Sequence, residues 1–116
     1  MPNSDSPLKR DILALRGDGS KFHFERLSET ALSSAFVFTA PPNASGEEEN
    51  SHVGDQYIYV IEGSAICRVS GVECEIKAGD FLTIPGGAPH SLRTGEETLF
   101  GISVIAPPES LPETSS

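Results

Sequence analysis

The chain has 116 residues, with 8 Lys plus Arg against 17 Asp plus Glu, a formal charge of −9. That length admits one domain and one modest core. So acidic a balance argues against nucleic acid or an anionic membrane as a partner, since both require a basic patch. Two cysteines exclude a disulfide scaffold, and 37% hydrophobic residues suffice for a folded core.

The start, Met1-Pro2-Asn3-Ser4-Asp5-Ser6, lacks the hydrophobic region of a signal peptide, and no apolar run reaches the roughly 18 residues that span a bilayer. A cytoplasmic protein is therefore expected, in which Cys67 and Cys74 remain thiols. The Pro/Ser/Glu-rich ends read as frayed tails, 1–7 and 107–116, around a single domain over 8–106.

Within that domain the apolar segments are short, rich in Val, Ile, Phe and Tyr, and bounded by Gly, Pro, Asn and Asp. This pattern predicts strands at 11–16, 21–26, 34–40, 56–62, 65–69, 72–77, 81–84, 89–93 and 98–105. Residues 26–33 alone offer an alternative, a turn or two of helix. The clearest hairpin runs Ala65-Ile66-Cys67-Arg68-Val69, then Ser70-Gly71, then Val72-Glu73-Cys74-Glu75-Ile76. Alternation sets Cys67 opposite Cys74, on one face with Val69 and Ile76. Two small buried residues packing across the strands is the plain reading, with a cross-strand disulfide or metal pair as its alternative. So many short strands predict an all-β sandwich or barrel, with any chemistry on inward-facing side chains.

Histidines are scarce: His23, His52 and His90. His52 precedes the strand-like run Gln56-Tyr57-Ile58-Tyr59-Val60-Ile61-Glu62, and alternation puts Gln56 on its side. Residues Gly79 to His90 read as a strand, a tight Pro85-Gly86-Gly87 turn and a return strand that delivers His90 on a rigid mount.

Here the sequence resembles the cupin superfamily, specifically its small single-domain bacterial members. The family's second motif, G-x5-P-x-G-x2-H-x3-N, is met by Gly79, Pro85, Gly87 and His90, with Thr94 at the final Asn position. Its first motif, G-x5-H-x-H-x3,4-E-x6-G, is met by His52 at the second His and Gly63 at the closing Gly. Asn50 stands at the first His and Gln56 at the carboxylate, and Gly46 only approximates the opening Gly. The resemblance covers about residues 35–106 and implies a double-stranded β-helix, the jelly-roll-like cupin barrel, with a divalent metal such as Zn, Ni, Mn or Fe at its mouth. It also implies His52, Gln56, His90 and Asn50 as the metal-site residues, and a homodimer as the assembly.

The departures matter chemically. Two imidazoles are good ligands, a Gln carbonyl oxygen is weaker than a carboxylate, and Asn50 suits a hydrogen bond to water or substrate better than a metal. Without the carboxylate a bound ion stays near +2, which favours an anionic or chelating ligand. Loss of half the usual ligand set also leaves room for a metal-free barrel with packed histidines. Asp55, the nearest carboxylate, is turned away from 52 and 56 by alternation unless a bulge intervenes. Glu47-Glu48-Glu49 reads as a solvated loop face and His23 as a plain strand histidine.

The same alternation expects Ile58, Val60, Cys67, Val69, Cys74 and Ile76 inward, with Phe100, Ile102 and Val104 together on one side, and Tyr57 and Tyr59 outward. The result is an apolar cavity with a few polar groups at one end, suited to a small molecule. Besides a purely structural barrel that serves as a dimerisation unit, two functions follow from the residues and the resemblance together. One is a metal-dependent isomerase- or lyase-type enzyme acting on a small polar or anionic molecule. The other is a metal-free module that binds or senses a small molecule, and fold alone does not choose between them.

Overall fold

The structure is a computed structural model that describes residues 7–45 and 50–108. Glu47-Glu48-Glu49, residues 1–6 of the first tail and 109–116 of the last lie outside the described residues. Among the described residues eight strands form: β1 (His23–Glu29), β2 (Ser34–Ala40), β3 (Asp55–Glu62), β4 (Ser64–Val69), β5 (Val72–Lys77), β6 (Phe81–Ile84), β7 (His90–Thr94) and β8 (Leu99–Ala106). They pair antiparallel in two sheets, one ordered β1-β2-β8-β3-β6 and the other β5-β4-β7. No helix among the described residues is long and apolar enough to cross a membrane.

A core cluster lies between the sheets. Phe38 and Ala40 of β2, Ile58 and Val60 of β3, and Leu99 of β8 meet Ala65 and Cys67 of β4 and Ile76 of β5. The five-stranded sheet buries its other face too, through Leu27, Val37 and Phe100 under Ile12 and Leu15.

That second cluster explains the first correction. The apolar pattern predicts a strand over 11–16, but Leu13–Leu15 form a single 3-10 turn. Ile12 and Leu15, three residues apart, share one side of such a turn and cover the sheet, while Leu13 stays exposed. The side chain of Arg16 then donates twice to Glu62, Nε to Oε1 and Nη2 to Oε2, both at 2.7 Å. Arg10 Nη1 donates to the carbonyls of Arg26 and Leu27 at 3.0 and 3.2 Å. The helical alternative for residues 26–33 is likewise set aside. β1 continues to Glu29, with a register shift between Arg26 and Ser28 where Leu27 enters the second cluster, and a tight turn closes from Thr30 N–H to the Ser33 carbonyl at 2.8 Å.

A second correction concerns β8. Phe100 and Ile102 share a face, as expected, but it is the outer one, packed with Leu27 and Val37. The residues that face the barrel are Leu99 and Ser103, from the opposite parity. Parity assigns residues to two sets without saying which set is inside, and β8 is apolar on both because both faces are covered.

The β4–β5 hairpin has the expected register, Cys67 opposite Cys74 and Arg68 opposite Glu73. Ser70 and Gly71 both take positive φ, 49° and 84°, as a two-residue turn matched to the strand twist requires. Joint burial of the two cysteines is not found. Cys67 is buried and Cys74 exposed, because β5 is an edge strand whose only buried side chain is Ile76, and the two sulfurs are unbonded. Burial, and then the nearby Cys74, push the Cys67 thiol up to about 11.

Candidate functional site

Three segments build one end of the barrel. The loop before β3 runs beside the start of β7, where Asn50 and His90 exchange both backbone hydrogen bonds at 2.7 Å. Residues so paired across an antiparallel bridge project from the same face, so the amide of Asn50 and the imidazole of His90 neighbour each other. The Pro85-Gly86-Gly87 turn is held from the same loop. Gly87 N–H donates to the His52 carbonyl at 2.6 Å and Gly86 N–H to Asp55 Oδ1 at 2.8 Å. A Cβ at Gly86 would collide with the Val53 carbonyl oxygen, so the glycine between Pro85 and Gly87 is needed for this close approach. Asp55 is therefore a brace for the turn and points away from the site, as alternation expects.

His90 is buried, and its Nδ1 lies 3.1 Å from the Ala88 carbonyl oxygen. Because a carbonyl only accepts, Nδ1 carries the proton of this hydrogen bond, which fixes the orientation of the ring. The half-buried ring of His52 lies 5.2 Å from that of His90, centroid to centroid and tilted by 43°. Thr94, at the end of β7, donates to the Pro41 carbonyl and accepts from Ala44 N–H, both at 2.8 Å, and so staples a loop to the strand.

Gln56, near the start of β3, is 8% exposed, and its Nε2 donates to Ser103 Oγ of β8 at 2.8 Å. Its Oε1 is buried with no hydrogen-bond partner. A buried amide oxygen left unpaired is destabilising by about 1–3 kcal/mol, so this atom calls for a hydrogen-bond donor.

A cavity of about 320 Å3 joins these groups. Its polar wall is Asn50, Gln56, His90, Ser91 and Ser103, and its apolar wall is Phe22, Phe24, Phe36, Phe38, Ala40, Ile58, Cys67 and Leu92. Of the four candidate residues, Asn50, Gln56 and His90 thus line one cavity, and His52 adjoins them through His90. Among the described residues no three His, Cys, Asp or Glu side chains gather into a metal-binding group. The polar groups brought together are two imidazoles and two amides, with no carboxylate among them.

Sequence reasoning missed the four phenylalanines and Ser103. The signal for Phe36 and Phe38 was present in the alternation of β2, whose Phe36, Phe38 and Ala40 share one face. Phe22 and Phe24 come from β1 and the residues before it, and Phe24 meets Phe36 edge to face at 5.8 Å. Tyr57 and Tyr59 point outward as expected, Tyr57 stacking on Phe81 at 5.9 Å. His23 lies near Glu25, Nε2 to Oε1 3.3 Å, and takes no part in the cavity.

Known proteins share both the sequence pattern and this architecture. The family model described as Cupin domain matches residues 36–105. No curated protein matches the chain. Among solved structures, TT1209 from Thermus thermophilus is similar at a TM-score of 0.78 and 23% identity, over 89% of this chain and 100% of that one. An uncharacterized conserved protein with a double-stranded beta-helix domain from Klebsiella pneumoniae is similar at 0.75 and 24%, over 88% and 91%. KdgF from a Halomonas species is similar at 0.72 and 19%, over 81% and 86%. At such identities the likeness is one of fold.

Proposed function

Given that the chain belongs to the cupin family, whose model spans residues 36–105, we propose that it binds a small molecule inside the barrel, with the molecule's polar end at Gln56, His90 and Asn50. The observation that carries this reading is Gln56, on the polar wall of an otherwise apolar cavity, whose buried Oε1 has no hydrogen-bond partner in the protein. A cavity of about 320 Å3 is at the small end of the roughly 300–1,000 Å3 range of small-molecule pockets, so the ligand is compact. Thermal unfolding against a panel of small molecules tests the reading, because a ligand that binds only the folded chain raises its midpoint. A rise that Gln56→Leu abolishes supports it, and no rise across the panel counts against it.

A second reading, a divalent metal such as Zn, Ni, Mn or Fe, is favoured by the approach of the His52 and His90 rings and by the hydrogen bond that orients His90. His52, His90 and the Gln56 oxygen would hold the ion, with Asn50 orienting a ligand beside it. Such an ion acts as a Lewis acid toward a carbonyl or carboxylate, the basis of isomerase- or lyase-type chemistry. Elemental analysis of untagged protein, with His52→Ala as control, decides this. Stoichiometric metal lost in the variant supports it, and no uptake after incubation with each ion rejects it.

A further inference from the structure

Resting on the reading of the cavity as a binding site, we propose that its ligand is a compact, neutral aromatic molecule bearing a hydroxyl or amine donor, a phenol-type compound rather than a carboxylate. Four features define this class. The first is the wall: Phe22, Phe24, Phe36 and Phe38 line one cavity, and Phe24 meets Phe36 edge to face. Aromatic rings favour an aromatic guest in edge-to-face or offset contact beyond the gain from burial alone. Phe22 is the exposed member of this wall.

The second is the polar end. Gln56 Nε2 is already engaged with Ser103 Oγ, which leaves Oε1 as an acceptor without a donor. An acceptor is satisfied by an O–H or N–H, whereas a carboxylate oxygen brought to it would add repulsion. Thirdly, among the described residues no Lys or Arg lines the cavity, and the Nδ1 proton of His90 is directed to the Ala88 carbonyl. Burying an anion without a counter-charge is costly, and the chain's charge of −9 adds to that cost. Fourthly, the volume limits the guest to a small ring system. A polyhydroxylated sugar acid would bring many polar groups to a wall of phenyl rings that can pair with none of them.

The test uses the full chain after treatment with a chelator, titrated by calorimetry or NMR with matched probes: p-cresol, toluene, p-toluate and methylcyclohexanol. Expected is p-cresol binding about tenfold or more tightly than toluene, the factor of one buried hydrogen bond, and more tightly than p-toluate and methylcyclohexanol. In Gln56→Leu/Ser103→Ala the preference of p-cresol over toluene disappears while toluene still binds, which also shows that the variant retains the cavity. The proposal is overturned if p-toluate equals or exceeds p-cresol, or if the saturated alcohol binds as well as the phenol. Should no aromatic probe bind while galacturonate does, alone or with Mn(II), the ligand class is wrong and the cavity reading stands. Binding of none of these probes overturns both.

Discussion

The unpartnered oxygen of Gln56 has a measurable consequence for stability. Oε1 is buried without a donor from the protein, and it sits on a side chain whose Nε2 bonds Ser103 Oγ at 2.8 Å. Gln56→Leu alone removes the orphan but strands the Ser103 hydroxyl, which is 1% exposed, so gain and loss nearly cancel. Gln56→Leu/Ser103→Ala removes both partners of the satisfied bond, a change that is close to neutral, together with the orphan, which relieves about 1–3 kcal/mol. For a domain near this size each kcal/mol moves the unfolding midpoint by about 4 °C, so the double variant should melt about 4–12 °C higher. Urea unfolding followed by circular dichroism, with chelator present, gives the free energy directly. The same variant should bind ligand less well, a trade of function for stability. If the double variant is less stable than the parent by about 1 kcal/mol or more, the size of one hydrogen bond, Oε1 is satisfied in solution and the reasoning is refuted.

Other measurements check other parts of the fold. At neutral pH an alkylating reagent should label Cys74 rapidly and leave Cys67 intact, since Cys67 is buried with its thiol pushed up to about 11, and equal labelling counted by mass spectrometry would contradict the burial. Gly63 and Gly71 both have positive φ, 85° and 84°, but only at Gly63 would a Cβ strike a carbonyl, that of Thr98. Gly63→Ala should therefore fail to fold, whereas Gly71→Ala should cost only about 1–2 kcal/mol, read from denaturation midpoints. The bidentate bond from Arg16 holds the Glu62 carboxyl below its ordinary 4.5. Its contribution, about 1 kcal/mol or less for so exposed a pair, is present above that value and is lost as pH falls through the folded-state value. Arg16→Ala should accordingly lower stability at neutral pH and flatten this part of the acid dependence.

The candidate site was largely legible in the chain because its parts are local. The spacing of Gly79, Pro85, Gly87 and His90 describes one strand, one turn and one return strand, and the structure places His90 at the start of β7 as that spacing requires. The carboxylate position reads Gln56, whose polar atom proved to be the unpartnered group of the cavity. Glu47-Glu48-Glu49, by contrast, lies outside the described residues.

What the sequence by itself determined is therefore the strands from β2 to β8, the β4–β5 register, the turn that carries His90, and the outward faces of Tyr57 and Tyr59. These depend on alternation and on turn residues acting within a few positions. Tertiary structure alone decided three matters. It chose which face of β8 is inside, bringing Ser103 to Gln56 and sending Phe100 to a second core cluster. It coiled Leu13–Leu15 into a turn that covers that cluster. And it gathered Phe22, Phe24, Phe36 and Phe38 into one wall of the cavity. A strand covered on both faces carries no polar side to mark its orientation, so only the partner that packs on each face can set it.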